Sequence, residues 1–245
     1  MDLQLTGKVA LVTGAGSQIG YGKAICLTLA EEGCYIIAAD IDLDGARQTA
    51  AQVAALGRKA LAIKVDVTKQ KEVESMVAKA IKEFGRIDIL VNNAGASSKE
   101  RPFMEMTEED WEFDIGVNLL GQIRVARAVL PHMLARKYGR IINTSGGQGF
   151  PLISIYGAAK GGVVQFTKAL AREVGSRGVI VNAVGPGLGK TGLVYRAPPE
   201  MLEGERQASV LKRLCEPADV APVVAFLASD RCSYMIGQLI QLGTS

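Results

Sequence analysis

The stretch from Val9 to Asp40 limits the fold more than any other part of the chain. Val9-Ala10-Leu11-Val12-Thr13 is a short apolar run that reads as a buried strand. A glycine-rich turn follows, Gly14-Ala15-Gly16-Ser17-Gln18-Ile19-Gly20-Tyr21-Gly22. From Lys23 to Glu32 apolar residues recur at helical spacing, and Gly33 is the stop. Strand, glycine turn and helix form the layout of a dinucleotide site. Glycine lets backbone approach a pyrophosphate, and the helix start supplies N–H groups and a positive dipole end. A plain turn is the competing reading.

The next strand, Tyr35 to Ala39, ends at Asp40. A carboxylate about 20 residues past the glycine turn is placed to accept hydrogen bonds from the ribose 2′- and 3′-hydroxyls and to repel a 2′-phosphate. Asp40 to Asp44 contains no Lys or Arg, and Asp42 adds negative charge, so the expected cofactor is NAD rather than NADP. The alternative is that Asp40 only caps the following helix.

The pattern then repeats. Strands are expected at Ala60–Val65, Ile87–Val91, Gly139–Thr144, Val179–Val184 and Leu239–Leu242. Helices are expected at Gly45–Leu56, Lys69–Phe84, Thr107 to Met133, after Ile155, and Pro217–Ala228. Seven strands alternating with about six helices predict an α/β fold, a doubly wound parallel sheet with helices on both faces (Rossmann fold). One domain is expected over 1–245, with a substrate lid around 188–210. Asn92-Asn93-Ala94-Gly95 lies at a strand's C-terminal end, where ligands sit in open α/β sheets. Asn118 lies inside a helical pattern that does not favour it, which suggests a specific role. His132, after Pro131, reads as structural.

Tyr156 and Lys160 are four apart, so on a helix they share a face. A neighbouring ammonium favours phenolate, and the pair is expected to pass a proton to or from a hydroxyl or carbonyl oxygen. An ordinary helix with a buried Tyr and a solvated Lys would show the same spacing.

Composition excludes other classes. The net charge is +3 with interspersed signs, which gives no basic track for nucleic acid. One histidine and four cysteines without C-x-x-C spacing argue against a metal site and fit reduced thiols in the cytoplasm. No signal peptide and no apolar run near ~20 residues is seen, so no membrane association is expected.

Taken together, the glycine turn, Asn92-Asn93-Ala94-Gly95, Asn118, Tyr156-x-x-x-Lys160 and Pro186-Gly187 make the chain resemble the classical short-chain dehydrogenase/reductases over essentially its whole length. The resemblance implies that Tyr156 is the acid/base and that Lys160 lowers its pKa and binds the nicotinamide ribose. It implies that Asn118 holds a water of the proton relay, Asp40 the adenosine ribose, and Asp66 and Val67 the adenine. Gly14, Ser17, Gly20, Tyr21, Gly22, Asn93 and Gly95 would line the cofactor, with Gly189 and Thr191 near the carboxamide.

Two departures stand out. The turn is two residues longer than the family's T-G-x-x-x-G-x-G, and Tyr21 takes a position where a small aliphatic is common. The family's substrate-binding serine falls at Gly146, preceded by Ser145, and the segment onward to Tyr156 is about three residues short. Either Ser145 takes the role or the serine is lost.

The expected function is an NAD-dependent oxidoreductase for a secondary alcohol and a ketone, with a small hydroxy/keto substrate, possibly an acyl thioester. Phe150, Leu152, Ile153 and Ile155 would meet an apolar substrate part or simply pack. The rival is a degenerate subunit of a hetero-oligomer, as in the hydroxy(phenyl)methylsuccinyl-CoA dehydrogenases. The family's usual assembly implies a homotetramer through helices near 105–135 and 156–175, although the ending Leu242-Gly243-Thr244-Ser245 departs from the family pattern.

Overall fold

The computed structural model describes residues 2–146, 150–187, 189 and 199–243. Its centre is a seven-stranded parallel sheet in the order β3-β2-β1-β4-β5-β6-β7. The strands are β1 Val9–Thr13, β2 Tyr35–Asp40, β3 Ala60–Lys64, β4 Ile89–Asn92, β5 Gly139–Thr144, β6 Val179–Gly185 and β7 Leu239–Gln241. β1 pairs with β2 on one side and with β4 on the other, so the strand order reverses beside it. In an open α/β sheet that reversal opens a crevice at the strands' C-terminal ends.

The helices are α1 Tyr21–Glu31, α2 Leu43–Ala55, α3 Gln70–Phe84, α4 Glu108–Ile115, α5 Gly121–Ala135, α6 Ser154–Val174, α7 Pro199–Ala208 and α8 Pro217–Ala228. Side chains alternate across a strand, so neighbouring β1 residues feed opposite layers. Ala10 and Val12 join a core with α1, α2 and α8, while Val9 and Leu11 join one with α3, α5 and α6. All five β1 residues are buried. A sheet covered on both faces needs such continuously apolar strands.

The helix expected from Thr107 to Met133 is interrupted. A π-helical segment, Gly116–Leu120, separates α4 from α5. The Asn118 side chain donates to the Asp114 carbonyl one turn back, at 2.9 Å. That bond draws on an acceptor of the regular helix ladder, and π segments of this kind gather at functional sites. α4 itself starts as anticipated, with Thr107 and Asp110 in a capping box. Of the stretch read as a lid, Pro199–Ala208 forms α7, while 188 and 190–198 lie outside the described residues. No helix among the described residues is long and apolar enough to cross a membrane.

Gly22 sets how closely α1 approaches β1. A Cβ there would run into the Gly14 carbonyl, with Asn93 Nδ2 a further 2.8 Å neighbour. Gly22→Ala therefore forces the helix off the strand. Its expected cost is about 1–3 kcal/mol, read as a lowered urea midpoint with an unchanged m-value.

Candidate functional site

The site begins where β1 meets β4. Thr13 Oγ1 accepts from the N–H groups of Asn93 and Ala94, both at 3.1 Å. The Asn93 amide donates to the carbonyls of Thr13 at 3.0 Å and Gly14 at 3.1 Å. Asn93, expected to touch a cofactor, thus has its amide nitrogen spent on joining the two strands. Gly14 follows with φ +70°, and any side chain there would strike the Ala94 backbone at 2.8 Å. The position needs glycine both for its dihedral and for its space.

The lengthened turn is stapled to α2. Gln18 Nε2 donates to Gly16 O at 2.9 Å and to Gly45 O at 3.0 Å. Thr49 Oγ1 donates to Ala15 O at 2.7 Å. Gly20 is the N-cap of α1 and offers no side-chain cap. The first N–H groups of that helix therefore have no side-chain acceptor and face the crevice, as anion binding requires. A Cβ on Gly20 would press on Ser17.

Asp40 does not cap α2. That role belongs to Asp42, whose carboxylate accepts from Asp44 N and Gly45 N, each at 3.1 Å. Asp40 instead accepts from Gly16 N at 2.7 Å and from Asp42 N at 2.9 Å. Its carboxylate lies against the glycine turn, half-buried, and each oxygen retains a lone pair. Asp66 accepts from Thr68 N and Oγ1, at 2.8 and 2.7 Å, and Val67 is packed beneath Gly121.

Tyr21 crosses from the start of α1 to the far side of the crevice. Its hydroxyl lies against the Gly189 backbone, leaving no space for a side chain at 189. Gly189 bridges to Cys215, and burial beside that thiol pushes the Tyr21 phenol well above the ordinary range. Thr191 lies outside the described residues. Beyond the end of β6, Gly187, Leu211, Leu214, Cys215 and Leu242 line a cavity of about 310 Å³.

Across the crevice, Lys160, Asn118 and Gly95 converge. A Cβ on Gly95 would sit 2.9 Å from Asn118 Oδ1 and 3.2 Å from Lys160 Nζ. Asn118 clamps the segment after β4: its amide donates to Ala96 O at 2.6 Å, and its Oδ1 accepts from Ala96 N at 3.3 Å. Lys160, only 2% exposed, donates to the Thr144 carbonyl at 3.1 Å. Its Nζ is 5.4 Å from the centre of the Tyr156 ring.

This arrangement differs from the expected one in its electrostatics. Burial pushes Tyr156 up to about 12, with the Asp114 charge adding to it, and burial pulls Lys160 down to about 8. Burial comes first among the causes of the Tyr156 shift and the Asp114 charge second. Desolvation disfavours both charged forms, and the ammonium is bonded to a backbone carbonyl.

Ser145 is buried at the end of β5, and its hydroxyl donates to the Lys160 carbonyl at 3.0 Å. Gly146 has φ +97°, and a Cβ there would lie 2.6 Å from Pro186 O. A serine at 146 would be strained in its backbone and crowded in its side chain. Three polar residues, two of them buried, escaped sequence reasoning. Gln122 donates to Thr144 O at 2.8 Å and to Asn118 O at 3.1 Å. Asp114 accepts from Ser98 N at 2.7 Å and Ser98 Oγ at 3.0 Å. Gln18 is the third. Asp114 and Gln122 lie four residues either side of Asn118, so one polar stripe through an apolar helix face was the available signal.

A family model described as "Enoyl-(Acyl carrier protein) reductase" matches residues 14–242. A 3-oxoacyl-[acyl-carrier-protein] reductase FabG of Thermotoga maritima is 39% identical, over 97% of this chain and 97% of that protein. The (2S)-[(R)-hydroxy(phenyl)methyl]succinyl-CoA dehydrogenase subunit BbsD of Thauera aromatica is 37% identical, over 96% of this chain and 95% of that one. Among solved structures, a 3-ketoacyl-(acyl-carrier-protein) reductase from Brucella melitensis complexed with NADH superposes with a TM-score of 0.90 at 33% identity, covering 98% of each chain.

The buried Lys160 carries a pH signature. Its amine titrates near 8 in the folded protein against 10.5 in a free side chain. Between those values the unfolded chain holds the extra proton, so stability from this group rises with pH across that window. Lys160→Met is expected to remove the rise, worth roughly 3 kcal/mol at most. Urea midpoints of both proteins, measured from neutral pH upward, give the difference.

Proposed function

The chain belongs to the short-chain dehydrogenase/reductase family, and from that membership we propose that it is an NAD-dependent oxidoreductase that interconverts a secondary alcohol and a ketone. The observation that carries the reading is the convergence of Tyr156, Lys160 and Asn118 at the C-terminal ends of β4 and β5, next to a glycine turn with Asp40 against it. The residues fit a nicotinamide dinucleotide. Gly14 and Gly22 leave backbone bare where any Cβ would collide, the start of α1 has no side-chain cap, and Asp40 retains acceptor capacity. A 2′-phosphate beside Asp40 and Asp42 would meet two carboxylates.

When bound, the nicotinamide gives or takes the hydride. Tyr156 supplies the other half of the reaction: as a neutral phenol it donates its proton to the carbonyl oxygen as the alcohol forms, and it takes the proton back in the reverse direction. Lys160, held by the Thr144 carbonyl, would bind the nicotinamide ribose. Asn118 fixes the backbone of Ala96 just beyond β4. Ser145, with its hydroxyl on the Lys160 carbonyl, supports α6; to donate to a ketone oxygen it would exchange that bond, while it can accept from an alcohol as it stands. The names of the 3-oxoacyl and succinyl-CoA relatives favour an acyl thioester as the substrate. Phe113, Ile115 and Leu120 expose apolar surface beside a groove of about 660 Å³, which supports assembly into a homotetramer through this face.

One observation favours a second reading. Gly146 cannot accept the family's serine without strain, and a related chain is named as a dehydrogenase subunit. On that reading the protein is a degenerate partner in a hetero-oligomer. Activity of the protein alone decides between the two.

Fluorescence titration is expected to show NADH binding more tightly than NADPH. Asp40→Ala should narrow that preference, and an unchanged ratio of Kd values would remove Asp40 from the ribose. Tyr156→Phe should lower kcat at least 100-fold in a screen of short 3-oxoacyl-CoA esters and cyclic ketones, with the Kd for NADH unchanged. Undiminished turnover would refute the role of Tyr156.

A further inference from the structure

Gln122 is a polar side chain in a position that packing alone would give to an apolar one. It is the second residue of α5 and only 2% exposed. Its amide nitrogen carries two hydrogens, and both are used. One goes to the Thr144 carbonyl at the end of β5, at 2.8 Å, and the other to the Asn118 carbonyl in the π segment, at 3.1 Å. Its backbone carbonyl accepts from Asn92 Nδ2 at the end of β4, at 3.3 Å. The amide oxygen has no partner among the described residues. Turned over, the amide would set that oxygen against two carbonyls, so its surroundings demand the donor orientation.

The Thr144 carbonyl is shared. Lys160 Nζ donates to it at 3.1 Å, so its two lone pairs are taken by an ammonium and by Gln122. Lys160 makes no other hydrogen bond through Nζ among the described residues, which leaves two of its three hydrogens. A flexible lysine is a precise ligand only where the group it leans on is itself held. Here that group is a carbonyl at the very end of a strand, gripped from α5. The same amide also grips the carbonyl of Asn118, where the regular helix ladder is interrupted. We propose that Gln122 is a positioning residue for cofactor binding: by bridging the Thr144 and Asn118 carbonyls it fixes the group on which Lys160 rests and keeps the two remaining ammonium hydrogens for the nicotinamide ribose. The inference rests on the reading of Lys160 as the ribose ligand.

The test needs no substrate. Calorimetry on the full chain reads the Kd for NADH and for ADP, which lacks the nicotinamide and its ribose. Gln122→Met keeps the length of the side chain and removes both donors. Its Kd for NADH is expected to rise about fivefold, the worth of one hydrogen bond, with the Kd for ADP unchanged. A merely structural role would weaken both ligands or neither, and either result overturns the proposal. Added to Lys160→Met, Gln122→Met is expected to change the NADH Kd no further, because its effect runs through the ammonium; additive losses overturn the proposal. Should Gln122→Met fail to fold, Gln122→Ser, small enough to admit water to the two carbonyls, is read the same way. If Lys160→Met alone binds NADH as wild type does, the ribose reading of Lys160 itself fails. If Lys160→Met weakens NADH and Gln122→Met does not, only the role of Gln122 falls.

Discussion

The join between β1 and β4 is the constraint on which the rest depends. Thr13 and Asn93 tie the two strands together where the sheet reverses its order, through side chains that bond to backbone on both sides. With that join in place, the glycine turn, the start of α1 and the 95–98 segment all open onto one crevice. The strands contribute position and little chemistry. The polar groups of the candidate site arrive from the π segment and α6, which carry Asn118, Tyr156 and Lys160.

The second constraint is dryness. Tyr156 and Lys160 are both driven toward their neutral forms by burial. The phenol is held neutral, while the amine, pulled down to about 8, still carries its proton at neutral pH. Thr144, whose carbonyl accepts from both Lys160 and Gln122, fixes the amine. Around this core the chain spends hydrogen bonds on rigidity: Asn118 and Asp114 on the 96–98 segment, Gln18 on the long turn. The extra length of that turn is absorbed by anchoring it to α2, so the helix start still faces the crevice.

Gly146 shows how a small departure in sequence is locked in by its surroundings. Its positive φ and the nearby Pro186 carbonyl exclude a side chain, and Ser145 is turned toward α6.

Much of this was legible in the chain itself. Apolar runs of four to seven residues, glycine stops and helical spacing determined the strand count, the parallel order and the two-layer cover, because these depend on local periodicity and on turn chemistry. Asp40, Asn118, Tyr156 and Lys160 stood out because each is a polar residue at the end of a strand or on a helix face that folding alone does not require. Only the tertiary structure decided which groups are dry and which are paired. It placed Asp114 against Ser98, gave the helix cap to Asp42 rather than Asp40, and turned Tyr21 under Gly189. Burial and through-space neighbours come from residues far apart in the chain, and a pKa or a hydrogen-bond partner depends on that packing rather than on sequence spacing.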